Sequence, residues 1–314
     1  MNQSVGVWAK GYDPESLGEI ADLWNRNAQS RHAFFPWTGE LLARRLAEKG
    51  TPYGVILEAR EDDVLAGFAH MAVVDESGYP RAGTIEAILV DERYRNRGLG
   101  TALLAGAMAS FRNAPMRPEF IDALGAWPFG YAFNVLADGS ERSGVFVRDE
   151  PLYRLFRRAG FEPARKSFVM RADVAGPKAA PRPLPGRARF YIARRSERTW
   201  LDRVFRGREL WDHDLVQDDG RLLSRAIFGL MEGESRREGT IIFSVFGVNT
   251  PSDMRGKGYA TVNVSHMMHH LSGLGADKVE LHVYGDNQPA LNLYRALGFE
   301  PEAETMMMHC NWLR

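Results

Sequence analysis

Apolar positions in the first half of the chain change from a helical to a strand spacing. Two segments carry apolar residues at helical spacing, one around Ile20 to Trp24 and one around Leu41 to Leu46. Two apolar runs follow at 54–59 and 64–74, separated by the polar tetrapeptide Arg-Glu-Asp-Asp. This order predicts two helices and then a β-hairpin.

The next pattern is a strand that runs through a glycine turn into a helix. Residues 84–90 (TIEAILV) are rich in β-branched residues, and the polar turn 91–97 follows them. The sequence Gly98-Leu99-Gly100 then leads into the strong helix former TALL. A helix at 151–159, ended by a glycine, completes this half.

The second half repeats the later part of this order. Residues 240–248 (TIIFSVFGV) predict a strand, the polar turn 249–257 follows, and a helix is expected to about residue 274. A strand at 278–283 and a helix at 289–297 come next, and Gly298 ends that helix.

The two halves also repeat in sequence. DEPLYRLFRRAGFEP from Asp149 aligns with NQPALNLYRALGFEP from Asn287, and RNRGLGTA from Arg95 aligns with RGKGYATV from Arg255. The first half is longer between its turn glycine and its helix-ending glycine, which predicts an insertion of about twenty residues within 125–147. A repeated strand, turn, helix, strand, helix unit predicts a duplicated domain.

A proline-rich segment separates the two copies. Residues 174–188 (VAGPKAAPRPLPGRA) hold four prolines and two glycines, so an extended linker is expected there. The predicted division is a domain at 1–173, the linker at 174–188 and a domain at 189–314. A long loop within one domain is the alternative interpretation.

Composition narrows the class of protein. A chain of 314 residues with 45% hydrophobic and 25% charged residues is typical of a globular protein of two domains. Forty basic residues balance forty acidic ones, which argues against nucleic acid as the main partner. The single cysteine, Cys310, rules out a disulfide framework and a cysteine zinc cluster within the chain. Without a signal pattern or a long apolar run, a cytoplasmic protein that does not enter a membrane is expected.

The repeated turn has a pattern suited to binding an anion. Arg-x-x-Gly-x-Gly/Ala between a strand and a helix places unpartnered N–H groups, small residues and basic side chains together. Such a turn can bind a phosphate or pyrophosphate, although a plain connection is the alternative. No Walker motif is present, and Leu103 occupies the place of the third glycine of a dinucleotide fingerprint.

These turns resemble the coenzyme A loop of the GNAT superfamily of N-acetyltransferases. The matching segments are ILVDERYRNRGLGTALL at 88–104 and VNTPSDMRGKGYATV at 248–262. A later family pattern matches the second half at Asn287, Ala290, Leu293, Tyr294, Gly298 and Phe299. The resemblance covers about 15–172 and 240–309, whereas 189–239 shows little of it.

The resemblance implies a tandem protein of α/β class, with two GNAT-like domains that each have a splayed mixed sheet flanked by helices. Acetyl-CoA would lie in each split as co-substrate, without a metal, and a primary amine would attack it directly in a ternary complex. A backbone N–H near 89–90 or 248–250 would polarise the acetyl carbonyl. The implied cofactor-binding residues are Leu89, Val90, Arg95, Asn96, Arg97, Gly98, Leu99, Gly100, Thr101, Val248, Thr250, Arg255, Gly256, Lys257, Gly258, Tyr259, Ala260 and Asn287.

The two halves differ in their candidate catalytic groups. Tyr294 stands at the family's acid position, where the first half has Phe156, and core packing is its alternative role. Glu86 stands on the loop strand of the first half as a candidate base, or else as a solvated strand residue.

The second half has no carboxylate within 240–248, so its candidate bases are Glu280 and His282, on one face of the next strand. Structural roles are expected for His282 and for the histidines at 266, 269 and 270, which share one helical face.

The leading hypothesis is an acetyl-CoA-dependent N-acetyltransferase whose C-terminal domain performs the chemistry. A second hypothesis gives the chemistry to the N-terminal domain through Glu86, and a third describes a non-catalytic acyl-CoA-binding module. A small-molecule amine is the expected acceptor, and a small amine, an antibiotic, an amino acid and a protein N-terminus all remain open. The sequence specifies neither the acyl chain nor the oligomeric state.

Overall fold

Strands form the frame of the protein. The computed structural model describes residues 6–10, 14–28, 36–48, 53–74, 81–124, 144–175, 181–184, 186–195 and 209–311. The described helices are α1 (Pro14–Ala28), α2 (Gly39–Glu48), α3 (Leu99–Asn113), α4 (Glu150–Arg158), α5 (Glu232–Glu238), α6 (Tyr259–Gly273) and α7 (Gln288–Ala296). The described strands are β1 (Gly6–Lys10), β2 (Tyr53–Glu61), β3 (Val64–Val74), β4 (Ala82–Val90), β5 (Phe120–Ala123), β6 (Val145–Phe146), β7 (Glu162–Asp173), β8 (Ala188–Arg194), β9 (Leu210–Gln217), β10 (Leu222–Leu230), β11 (Ile242–Asn249), β12 (Lys278–Tyr284) and β13 (Glu300–Asn311).

The chain divides into two compact units. Unit 1 holds the described residues up to Lys166 together with those from Thr305 onward, and unit 2 holds Ser167–Glu304. In unit 1 the strand order is β1-β2-β3-β4-β5-β13, with β6 also paired to β13. In unit 2 the order is β7-β12-β11-β10-β9-β8. Each sheet is mixed, because β4 runs parallel to β5 and β11 runs parallel to β12, whereas the other pairs are antiparallel.

The terminal strands are exchanged between the repeats. The end of β7 pairs with β12 from Ser167 to Asp173, so it completes unit 2 although it follows the helix of the first half. The end of β13 pairs with β5, His309 opposite Asp122, and so completes unit 1. The predicted linear boundaries, 1–173 and 189–314, therefore differ from the compact units. Strand pairing joins segments that are distant along the chain. A change of composition such as that at 174–188 marks a linker and does not reveal which strands pair.

Each sheet of the described residues packs its helices through apolar clusters. In unit 1, α3 and α4 cover one face, with Leu103, Phe111 and Phe156 in the core, and α1 and α2 cover the other through Leu23 and Leu42. In unit 2, α6 and α7 pack against β10, β11 and β12. The helices have an apolar face at the predicted spacing, and their burial is the main stabilising contribution.

Most predicted elements agree with the structure. The hairpin of β2 and β3 turns at Asp62 and Asp63, which both have positive φ. The strands and helices on either side of each glycine turn lie within a few residues of their predicted bounds. The predicted insertion lies mostly outside the described residues. Within the described part of the chain, no helix is long and apolar enough to cross a membrane.

Candidate functional site

The sheet of unit 1 divides between β4 and β5. Their parallel pairing ends where Ile85 lies opposite Ala123, and the Ile85 carbonyl accepts a hydrogen bond from the Leu124 N–H at 2.8 Å. Beyond this point β4 continues to Val90 while paired with β3 alone. The edge of β4 that faces away from β3 is therefore open over its last residues.

A β-bulge at Glu86 sets which backbone groups face that open edge. The register passes from Ile85 opposite Met71 to Ala87 opposite His70, so Glu86 is the extra residue. Beyond the bulge, the Asp91 N–H donates to Ala66 at 2.9 Å, on the β3 side. Because antiparallel residues alternate, Leu89 also pairs with β3, whereas the backbone groups of Ile88 and Val90 point to the open edge.

The turn that follows β4 is braced by side chains. Asp91 accepts hydrogen bonds from the Arg93 backbone N–H at 3.0 Å and from its guanidinium at 2.8 Å. These bonds lower the pKa of the Asp91 carboxyl well below its usual range. Asn27, at the end of α1, accepts the Glu92 N–H at 2.9 Å. The turn is thus held in place before any ligand binds.

The start of α3 has the backbone that the glycine pattern predicts. Gly98 is the N-cap with φ 83°, and Asn96 also has a positive φ of 63°. Gly98 has no side chain that could cap this helix, so among the described residues the first N–H groups of α3 are available to an anion. Leu99 is buried and faces the core, while Gly100 and Thr101 form the first turn.

The two arginines of this turn that were predicted to bind the cofactor, Arg95 and Arg97, have internal partners. The Arg95 Nε donates to the Val90 carbonyl at 3.2 Å, and Arg97 pairs with Glu61 at 2.9 Å. Arg97 also lies over the ring of Tyr94. Arg95 therefore ties the turn to the open strand end, whereas Arg97 is directed toward β2.

A cleft of about 560 Å³ opens at this point of unit 1. Five residues predicted from the sequence line it, namely Leu89, Val90, Arg95, Asn96 and Gly100. Sequence reasoning missed the rest of the lining, Asn27, Ile88, Leu124, Phe146, Arg148, Asp149, Pro151, Leu152 and Leu155. The repeated segment DEPLYRLF contains four of these, so the repeat itself was the signal that could have found them. The cleft joins the open strand edge, the turn and α4.

The turn of unit 2 reproduces that of unit 1. Gly258 is the N-cap of α6 with φ 80°, and Gly256 has φ 76°. The Arg255 Nε donates to the Thr250 carbonyl at 3.1 Å, five residues back, as Arg95 does to Val90. The remaining predicted residues also lie at this turn: Val248 at the end of β11, Lys257 beside Met254, and Tyr259 and Ala260 in the first turn of α6.

The sheet of unit 2 divides in the same manner. The β11 and β12 pairing ends with Val245 opposite Leu281, which corresponds to Ile85 opposite Ala123. The bulge differs, because it falls at Gly247 and Val248 rather than directly beyond the last parallel pair. Phe246 occupies the place that Glu86 has in unit 1, and both side chains are buried. The interpretation of Glu86 as a solvated residue is therefore wrong.

Tyr294 and Phe156 occupy equivalent positions in α7 and α4. Tyr294 is 7% exposed and packs edge-on against Phe299, with ring centroids 5.6 Å apart. Phe156 packs edge-on against Phe161 at 5.0 Å. The ring of Tyr294 thus packs in the core, which was the alternative to a catalytic role. Its hydroxyl is the group that unit 1 lacks. Its catalytic role stays a prediction.

The N-cap of each of these helices is a polar side chain. Asn287 accepts the Ala290 N–H at 3.3 Å, and Asp149 accepts the Leu152 N–H at 3.3 Å. Asn287, predicted to bind the cofactor, therefore has a structural role in starting α7. Asp149 has the same role and also lines the cleft.

Two other polar candidates of unit 2, Glu280 and His266, are held by neighbours. Glu280 is fully buried and bound to Arg171 at 2.8 Å, so it is not a free base. His266 contacts the Arg182 carbonyl at 2.7 Å and stacks on Phe190. Among the residues that the structure describes, no group of three His, Cys, Asp or Glu side chains could hold a metal ion.

Comparison with known proteins agrees with this geometry. The family model described as "Acetyltransferase (GNAT) family" matches residues 17–121 and 186–299. The mycothiol acetyltransferase of Actinosynnema mirum is 28% identical, over 93% of this chain and 95% of that protein. The mycothiol acetyltransferase of Thermomonospora curvata is also 28% identical, over 98% of each chain.

A solved structure shares the whole architecture. The tandem GNAT protein from the clavulanic acid biosynthesis pathway superposes with a TM-score of 0.72, over 98% of both chains at 18% identity. That likeness concerns the fold. The two matched segments, the split sheets and the repeated turns lead to one assignment. The chain belongs to the acetyltransferase (GNAT) family as a tandem member, and it is an acyltransferase of the N-acetyltransferase type.

Proposed function

We propose that the protein transfers the acetyl group of acetyl-CoA to a small primary amine, and that unit 1 carries the transfer. The observation that supports this most directly is the cleft of about 560 Å³ at the open edge of β4. Its size is within the range of small-molecule sites, about 300–1,000 Å³. It contains both a place for an anion and an open strand edge.

Acetyl-CoA fits the chemistry of the lining. The uncapped start of α3, with Arg95 and Arg148 beside it, suits a pyrophosphate. The backbone groups of Ile88 and Val90 suit the amides of a pantetheine arm. Because Leu89 pairs with β3, the N–H of Val90 is the better donor to the acetyl carbonyl.

The acceptor amine must lose a proton before it attacks. An alkylamine with a pKa near about 10.4 is almost entirely protonated at neutral pH. Glu86 supplies a carboxylate in the bulge, one residue beyond the end of the β4 and β5 pairing. The neutral amine then forms the C–N bond while the C–S bond breaks, and the second amine proton passes to the departing sulfur, so that an amide and a thiol result.

A small molecule is the class of acceptor that we propose. The curated relatives are named for acetylation of mycothiol, which is a small molecule rather than a protein. At 28% identity this similarity suggests the class of acceptor and leaves its identity to experiment.

Unit 2 is the second candidate for the transfer. Tyr294 places a hydroxyl where unit 1 has Phe156, and a phenol can protonate a leaving thiolate. The sequence favours this unit for that reason, and the preference stays a prediction. Unit 2 has Phe246 where unit 1 has Glu86, so it lacks the corresponding base.

Calorimetric titration with acetyl-CoA tests the binding part. We expect Gly98→Val to abolish a binding site, because valine at φ 83° would distort the start of α3. Gly258→Val is the matched variant in unit 2. A second site lost in Gly258→Val would show that both turns bind. Absence of binding in the wild type, or full binding by Gly98→Val, would refute the assignment of the cleft.

Acetyl transfer to a panel of amines then locates the chemistry. We expect Glu86→Gln to lower kcat/KM by about 100-fold, a typical contribution of a general base. Tyr294→Phe should leave the rate nearly unchanged, because the transfer does not depend on unit 2. The reverse result would place the transfer in unit 2. Saturable acetyl-CoA binding without product from any amine would favour a binding module.

A further inference from the structure

A row of buried polar side chains crosses the sheet of unit 1. Thr84 lies opposite Asp122 in the parallel pair, and Asp122 lies opposite His309 of the exchanged strand. The flanking residues Ile121 and Met308 belong to the apolar core under α3. Since neighbours along a strand face opposite sides, the row faces the α1 and α2 side of the sheet.

The row contains an acid–base pair that is partly open to solvent. The His309 Nδ1 lies 2.5 Å from the Asp122 Oδ1. Asp122 is 1% exposed, whereas the His309 side chain is 28% exposed. The hydroxyl of Thr84 is fully buried and has no hydrogen-bond partner among the described residues. A buried hydroxyl requires a partner, which a water or a ligand can supply.

The row lies at the fork of the sheet. Thr84 and Asp122 form the pair directly before Ile85 and Ala123, where the strands separate. Glu86 is two residues beyond Thr84 and is itself 1% exposed. A proton taken up by Glu86 therefore needs a path to solvent.

The equivalent row of unit 2 is closed, in the sense that its polar side chains are bound to other groups of the protein. Ser244, Glu280 and Arg171 replace Thr84, Asp122 and His309 at the same register positions. The Ser244 hydroxyl donates to the Gly229 carbonyl at 3.2 Å. Arg171 contacts four carboxylates, those of Glu234, Glu238, Glu280 and Glu302, at 2.6–3.0 Å. A guanidinium does not release a proton at physiological pH.

We propose that Thr84, Asp122 and His309 form the proton exit of unit 1, the path by which the proton taken from the amine reaches solvent. This proposal rests on the proposed function. The amine gives one proton to Glu86, and a water held by the Thr84 hydroxyl transfers it to the pair. Neutral His309 takes it up beside ionised Asp122 and releases it to solvent. One proton leaves for each amide formed, so the transfer balances.

The electrostatics of the pair agree with this role. The hydrogen bond that His309 donates to the Asp122 carboxylate raises the pKa of His309 above its usual value. Burial raises the pKa of Asp122, although His309 opposes this effect. Three buried titratable side chains lie on the neighbouring strands, Glu86 on β4, His70 on β3 and Glu58 on β2.

The pH profile of kcat/KM tests the proton exit in the full chain. His309 must be neutral to accept a proton, so activity should rise with pH through its raised pKa. Asp122→Asn removes the carboxylate that raises the pKa of His309. The rise of activity should therefore occur at lower pH, while the rate itself falls. We expect His309→Gln to lower the rate by about 100-fold and to remove this rise.

Chemical rescue separates proton transfer from a structural role. Added imidazole should restore much of the activity of His309→Ala, because it can occupy the space and carry the proton. His270→Gln, in unit 2, is the control. It should leave the rate and the pH profile unchanged, and added imidazole should have no effect on it. Acetyl-CoA binding by calorimetry should stay unchanged in all variants.

The outcomes distinguish this proposal from the proposed function. A wild type that binds no acetyl-CoA contradicts the proposed function. A wild type that transfers acetyl groups, with His309→Gln unchanged in rate and pH profile, overturns the proton exit alone. Loss of activity in His309→Ala with no rescue and an unshifted pH profile in Asp122→Asn also overturns it.

Discussion

The two units share the geometry of the glycine turn and of the divided sheet, and they differ in the side chains at the point where the sheet divides. Both turns have a left-handed glycine at the helix N-cap, and in both an arginine Nε binds the carbonyl five residues back. Both sheets divide beyond the equivalent pairs, at Ile85 and at Val245. These features come from the backbone and from small residues.

The side chains at the two forks have diverged. Unit 1 has Glu86 and the Asp122–His309 pair, where unit 2 has Phe246 and the Glu280–Arg171 pair. The difference teaches that a duplicated backbone can be kept in both copies while the polar groups at the division of the sheet diverge, and the proposed function assigns the proton chemistry to unit 1. In unit 2 Arg171 binds four carboxylates at the place where unit 1 has the Asp122–His309 pair.

The largest expected effect concerns the exchange of strands. The fragment 1–188 matches the predicted N-terminal domain and linker, but it lacks the β13 segment that pairs with β5 and β6. We expect it to show no cooperative thermal transition, because the core of unit 1 loses Met308 and its neighbours. Circular dichroism on heating measures this.

A peptide of residues 300–314 provides the control for this fragment. Added in excess, it should restore a cooperative transition by supplying the missing strand. A fragment 1–188 that folds by itself would instead support the linear domain boundaries and break the comparison of two completed units.

The sequence predicts the parts of this architecture that are local. The turn at 95–98 and the helix 99–113 follow from glycine spacing and helix propensity, and the hairpin at Asp62 and Asp63 follows from its polar turn. The exchanged strands cannot be read in this manner. GFEPARKSFVMR and GFEPEAETMMMH are repeats of one another, and nothing local says which sheet each one joins.

The candidate site is predictable to the same extent. Five predicted residues line the cleft, since they belong to one contiguous motif. Asp122 and His309 are far apart along the chain, so no spacing rule connects them. Their pairing depends on the register of β5 with β13. Likewise the position of Glu280 in the sequence makes it a candidate base, but the fold pairs it with Arg171 in a buried ion pair.

The next effect in size concerns the closed row of unit 2. Arg171→Met would leave the fully buried Glu280 without the guanidinium that it binds, whereas Glu234 keeps its pairing with Arg237. We expect a loss of about 3–5 kcal/mol in the free energy of unfolding of unit 2. Hydrogen exchange at the amides of β12 measures it. The loss should diminish as the pH falls, because a buried carboxylate that has lost its cationic partner has a raised pKa and takes up a proton.

His309→Met is the matched variant in unit 1. It leaves one buried carboxyl, that of Asp122. Because burial already raises the pKa of this group, Asp122 can take up a proton, and its neutral form lowers the free-energy cost of losing His309. Exchange at the amides of β5 should therefore report a smaller loss than Arg171→Met gives in β12. Equal losses at neutral pH would mean that the two rows are both structural.

The smallest effect separates capping from cofactor binding at Asn287. Asn287→Ala and Asp149→Ala each remove a side chain that accepts an N–H of the first helical turn. Each should cost about 1 kcal/mol of stability in its own unit, measured by hydrogen exchange at α7 and α4. Asp149→Asn, which gives unit 1 the cap of unit 2, should cost less, since it keeps the hydrogen bond and loses the charge at the helix N-terminus. If Asn287 also binds the cofactor, as the sequence predicts, Asn287→Ala would weaken acetyl-CoA binding in unit 2 by more than its loss of stability explains.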